Sequence, residues 1–85
     1  MNKDIIERTN ELIEEIAKLP KGYISTKRIY GNIYYYHQWN ENGKKISKYI
    51  RYNQIIELYD SIEKRQQLEQ ELKTLKNMIK SLDKD

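Results

Sequence analysis

At 85 residues, with no cysteine and one histidine, the chain has room for a single small domain, no disulfide staple and no Cys-based or paired-His zinc site. Sixteen Lys and Arg against thirteen Asp and Glu leave a formal charge of +3, and no apolar run approaches the length of a membrane span. The acidic, amphipathic start has neither the basic head nor the apolar block of a signal peptide, so a soluble protein of the reducing cytoplasm is expected.

The charge is unevenly spread. Residues 1–19 carry three bases and five acids, residues 20–52 seven bases and one acid, and residues 53–85 six bases and seven acids. The positive field belongs to the middle of the chain.

The first predicted element is a helix over residues 1–19. Ile5, Thr9, Leu12, Ile13, Ile16 and Leu19 recur at helical spacing, with Glu7, Glu11, Glu14 and Glu15 elsewhere around it. Asn2 is placed to cap its start; Pro20 ends it, and Gly22 supplies a flexible joint.

Residues 23–52 switch to short β-rich runs separated by Gly31-Asn32 and Asn42-Gly43, both hairpin turn signals. They predict a three-stranded antiparallel meander over 23–30, 33–40 and 45–52. Two-residue loops would set Ile24 opposite Trp39, Tyr30 opposite Ile33, Trp39 opposite Ile46, Tyr35 opposite Ile50 and Tyr36 opposite Tyr49. A four-residue second turn would shift the pairs but keep the faces. Alternation gives one face with Ile24, Thr26, Arg28, Tyr30, Ile33, Tyr35, His37, Trp39, Ile46, Lys48, Ile50 and Tyr52, assigned to the core for its aliphatics. The opposite face, with Tyr23, Ser25, Lys27, Ile29, Tyr34, Tyr36, Gln38, Asn40, Lys45, Ser47, Tyr49 and Arg51, carries no carboxylate and is expected to face outward.

A long helix is predicted over 53–82, capped by Asn53. Ile55, Leu58, Tyr59 and Ile62 share a face suited to covering the sheet. Leu68, Leu72, Leu75, Ile79 and Leu82 follow at coiled-coil spacing on a face rotated by about a third of a turn. That second stripe needs either the first helix or another chain, and is the expected dimer or partner interface. The whole reads as an α+β fold: N-terminal helix, three-stranded antiparallel β-meander, long C-terminal helix.

Catalysis has little to work with. The glycines Gly22, Gly31 and Gly43 form no phosphate loop, and His37 stands mid-strand without an adjacent acid, so no enzyme, cofactor or metal site is expected. Nucleic-acid binding fits better: tyrosine rings at 23, 34, 36 and 49 can stack on bases, and Lys27, Lys44, Lys45 and Arg51 can neutralise phosphates. The plainer account is that tyrosines suit strands and lysines blunt sheet edges against aggregation. Tyr, Trp and Arg are also favoured at protein hot spots, so a protein-binding adaptor is the alternative.

The runs "LPKG" at 19–22, "YYY" with Trp39, "NGKK" with "SKYI" at 42–50, and "EKRQQLEQELK" at 63–73 resemble a group of small bacterial proteins with no established activity. The resemblance covers nearly the whole chain and implies a helix, a P-x-G joint, a Tyr-rich hairpin and a charged C-terminal helix. The hairpin is also similar to the three-stranded N-terminal sheet of phage and transposon tyrosine recombinases, which implies DNA contact, although no catalytic domain follows. In size and charge the chain is similar to phage inhibitors such as anti-CRISPR proteins, which implies a host nucleoprotein complex as partner. The expected function is a non-enzymatic nucleic-acid-binding module of a bacterium or mobile element, acting as a homodimer.

Overall fold

The structure is a computed structural model that describes residues 2–82, with side chains from residue 4 onward. Apolar residues at three- and four-residue intervals form α1, Asn2–Ala17. Its expected cap, the Asn2 side chain, lies outside the described side chains. The helix ends two residues earlier than predicted, because the approach to Pro20 tightens its last turn: Lys18 and Leu19 donate to the carbonyls of Glu15 and Ile16, three residues back rather than four.

Three strands follow, β1 (Tyr23–Ile29), β2 (Asn32–Glu41) and β3 (Lys44–Ile50), antiparallel in the order β1-β2-β3. The second hairpin has the expected register, with Trp39 opposite Ile46, Tyr35 opposite Ile50 and Tyr36 opposite Tyr49 across an Asn42-Gly43 turn. The first differs. Its turn is Tyr30-Gly31, so Ile24 faces His37 and Ile29 faces Asn32. Tyr30 and Gly31 both have positive φ, 50° and 82°, as do Asn42 and Gly43 at 51° and 78°. Both hairpins therefore use the turn whose twist matches paired strands and which favours Gly in second place; reading Gly31 in first place moved the expected register by two. A shift of two preserves alternation, so each residue stays on its predicted face.

The sheet stops at Ile50. Arg51 is extended, Tyr52–Gln54 make one 3₁₀ turn, and α2 runs Ile55–Leu82. The expected cap at Asn53 is not made, because Asn53 sits inside the 3₁₀ turn, which has no side-chain cap.

The chain forms two units. The sheet unit, Pro20–Glu63, holds the three strands and the first turns of α2; the helical unit joins α1 to α2 from Lys64 onward. In the sheet unit Ile50 and Ile62 are buried, each burial contributing about 1.5–3 kcal/mol, and Ile24, His37, Trp39 and Ile46 are half-buried. The predicted core face is incomplete, however. Ile33 is 51% exposed, and Thr26, Arg28 and Tyr30 are exposed as well, because β3 ends opposite Tyr35 and the sheet beyond it is only two strands wide. Tyr59, expected on the covered face of α2, is also exposed; Ile55, Leu58, Ser61 and Ile62 are the shielded positions there.

In the helical unit Thr9, Leu12 and Ile16 are buried. Leu68, Leu72, Leu75 and Ile79 are half-buried and Leu82 is exposed. Two polar links fasten the helices: Arg8 donates twice to the Glu71 carboxylate, at 2.8 and 3.1 Å, and Arg65 donates to the Leu19 carbonyl at 2.6 Å, satisfying a free carbonyl just beyond α1. Arg65 precedes Leu68 by three residues on the same side of α2, so the leucine stripe lies on the side that carries these links.

Candidate functional site

Alternation along each strand puts Tyr23, Lys27, Tyr34, Tyr36, Gln38, Lys45 and Tyr49 on one sheet face. Register then turns composition into geometry. Tyr36 lies between Ser25 and Tyr49, and Tyr34 opposite Lys27. The Tyr49 ring sits edge-on to Tyr36, centroids 5.9 Å apart at 70°, and tilted to Tyr34 at 6.4 Å and 55°. Both are favourable arrangements of ring quadrupoles, contributing about 0.5–1.5 kcal/mol each. Two neighbours thus hold the Tyr49 ring while 55% of the residue remains exposed.

The lysines of this face lean inward over rings. Lys27 Nζ is 4.9 Å from the Tyr36 centroid and Lys45 Nζ 5.9 Å from that of Tyr23. Each contact stabilises by about 0.5–1 kcal/mol at an exposed site. Lys45 starts on β3 and Tyr23 lies on β1, so their contact crosses β2 next to Gln38. That crossing accounts for an unexpected burial: Gln38, predicted to point outward among exposed tyrosines, is 8% exposed, its amide donating to Ser47 Oγ at 3.3 Å. The signal in the sequence was its place on the central strand opposite Ser47; the expected register of the first hairpin set Ser25 rather than Tyr23 on its other side.

Five of the seven predicted site residues are thus gathered on one face: Lys27, Tyr34, Tyr36, Lys45 and Tyr49. Lys44 pairs with Glu41 at the tip of the second hairpin, on the opposite face from Lys45. Arg51 follows the end of β3 and is exposed. Tyr23 joins the group through Lys45.

The other face carries a cleft of about 300 Å³ lined by His37, Lys48, Ile50, Gln54, Glu57 and Leu58. Its His37 ring lies 4.5 Å from Trp39, and Nε2 is 2.6 Å from the Lys21 carbonyl. That contact makes Nε2 a donor and leaves the lone pair on Nδ1. Among the described residues no group of three or more His, Cys, Asp or Glu is placed to hold a metal, and no helix is long and apolar enough to cross a membrane.

A family model described as Domain of unknown function (DUF6788) matches residues 2–60, which take in α1, the sheet and the first turns of α2. No match was found among curated proteins or among solved structures.

Proposed function

We propose that this chain, which belongs to the family described as Domain of unknown function (DUF6788), is a non-enzymatic nucleic-acid-binding module of the cytoplasm. The observation that carries the reading is the single sheet face on which Tyr23, Tyr34, Tyr36 and Tyr49 lie together with Lys27 and Lys45, each ammonium within 6 Å of a ring. Rings beside cations, with no carboxylate strand residue on that face, suit a polyanion of flat bases. Arg51 extends the positive charge beyond the end of β3, and Lys44 adds to it at the hairpin tip.

The test is binding of a labelled mixed-sequence oligonucleotide, followed by fluorescence anisotropy between 50 and about 200 mM salt. Affinity falls steeply with salt. Replacing Lys45 and Arg51 together by Ala weakens binding and flattens the log–log salt slope by roughly 1.5, the loss of two phosphate contacts at ~0.7–0.9 each. An undetectable shift with both DNA and RNA at low salt removes the proposal.

The helical unit favours a second copy of the chain as a further partner. Ile6, Ile13, Met78 and Leu82 are 51, 48, 45 and 53% exposed there, and Ile6 and Ile13, seven residues apart, lie in line along α1.

A further inference from the structure

Which form of nucleic acid the sheet face takes follows from three of its features, granted the nucleic-acid reading above. The first is the exposure of the rings. Tyr23 and Tyr49 are 49 and 55% exposed, whereas Tyr34 and Tyr36 are half-buried and brace Tyr49 from its side. Two rings, and not four, are presented to a ligand.

The second is their separation. Tyr23 is on β1 opposite Gln38, and Tyr49 on β3 opposite Tyr36, so the two lie two strand spacings apart laterally and two residues apart along the strands. With strands ~4.8 Å apart and ~3.3 Å per residue, their backbones are about 12 Å apart. In a duplex, bases follow one another at ~3.4 Å and cover each other's faces. Rings carried on backbones about 12 Å apart do not match the close, face-covered stack of a duplex; they fit bases splayed out of a single strand, which leaves its faces free.

The third is what the centre of the face lacks, its exposed amides, Asn32 and Asn40, lying toward the two ends of β2. A sheet that reads a duplex groove offers hydrogen-bonding side chains to base edges, Arg and Lys to guanine and amides to adenine. Gln38, the amide at the centre of this face, is buried and committed to Ser47. It is withheld from a base edge, while the two lysines lie beside the rings, where the phosphates of a stacked strand would pass.

We infer that the sheet face binds single-stranded nucleic acid with little sequence preference, Tyr23 and Tyr49 each stacking a base and Lys27 and Lys45 taking the intervening phosphates. Tyr49 is the better platform, since Tyr34 and Tyr36 already fix its ring and less side-chain freedom is lost on binding.

The experiment compares a labelled 12-nucleotide mixed-sequence strand with the same strand annealed to its complement, in DNA and in RNA, at 50 mM salt, using the full chain. The expected result is at least tenfold tighter binding of the single strand. Tyr49→Ala lowers that affinity by at least fivefold, while Tyr49→Phe, which keeps the ring, stays within twofold. Should Tyr49→Ala lose its fold by circular dichroism, Tyr23→Ala, on the opposite edge strand, takes its place. A duplex bound as tightly as the single strand, or an alanine variant that folds and binds like the original, overturns the inference and leaves the broader reading standing. Absence of binding to every form overturns the broader reading itself.

Discussion

Gly22 shows how much can rest on a single missing carbon. It follows Pro20 by two residues with φ of 95°, and a Cβ placed on it would stand 2.0 Å from the Gln38 carbonyl oxygen and 2.8 Å from Trp39 Cβ. The neighbours are the backbone of the central strand and a Cβ fixed to it, which cannot give way as the far end of a flexible side chain can. Positive φ alone costs a residue with a Cβ of order 1–3 kcal/mol, and the overlap adds to it. Gly22→Ala is therefore expected to destabilise the protein by about 3 kcal/mol or more, read as a lowered urea midpoint. Gly31→Ala is the control: its φ of 82° is similar, but nothing lies within 4 Å of its Cβ position, so it carries the conformational cost alone. Equal losses for the two variants would show that the close approach to β2 is unimportant. The sequence displayed Gly22 as a joint after proline; that the joint is pressed against Gln38 depends on a contact 16 residues away, which no local pattern contains.

Among the elements, the pairing of α1 with α2 rests partly on Arg8, which meets Glu71 in two hydrogen bonds and also lies 3.3 Å from Glu11 and 3.9 Å from Glu15. The hydrogen bonds from Arg8 hold the Glu71 carboxyl below its ordinary value of 4.5. A carboxyl depressed in the folded state stabilises the fold above its ordinary pKa and loses that contribution as the pH falls through the depressed value. The stability difference between the native chain and Glu71→Gln is thus expected to be full at pH 7 and to shrink once the pH drops below about 4.5, measured by urea unfolding of the helical signal. A difference that stays constant from pH 7 to pH 3 would assign the effect of Glu71 to packing. The pair is exposed enough that the gain at pH 7 is small. Helix, meander and helix were legible in the sequence because each rests on a local period or turn signal. So was the gathering of Lys27, Tyr34, Tyr36, Lys45 and Tyr49, since alternation survives a register shift of two. Turn choice was not legible: Tyr30 accepts positive φ against the preference of its side chain, as the price of the Tyr30-Gly31 hairpin. Nor was the role of Arg65, a charged residue that carries the shielded side of α2 onward to Leu68 and that a count of apolar positions passes over.

At the scale of the whole molecule the open matter is whether one copy acts alone. Leu68, Leu72, Leu75 and Ile79 lie on the side of α2 linked to α1 and are half-buried in one chain, so charging them would test folding rather than association. The residues that separate the two are those left bare. Ile6 and Ile13 are seven residues apart, hence in line along α1, about a quarter turn from buried Thr9, Leu12 and Ile16. If a second copy covers that line, light scattering at tens of micromolar gives twice the chain's 10.4 kDa mass. Ile6→Glu with Ile13→Glu then returns the monomer while the thermal midpoint at low concentration changes little, because neither side chain is buried within its own chain. A monomer in the unsubstituted protein, or a dimer indifferent to both charges, would leave the helical unit with no such role. The outcome also bears on nucleic acid. Two sheet faces joined through a dimer would bind one long strand at two points, and a strand long enough to reach both would be held more tightly than the 12-nucleotide probe by far more than twofold. Loss of that advantage in the Ile6→Glu, Ile13→Glu variant, with short-strand affinity unchanged, would tie the apolar line on α1 to function.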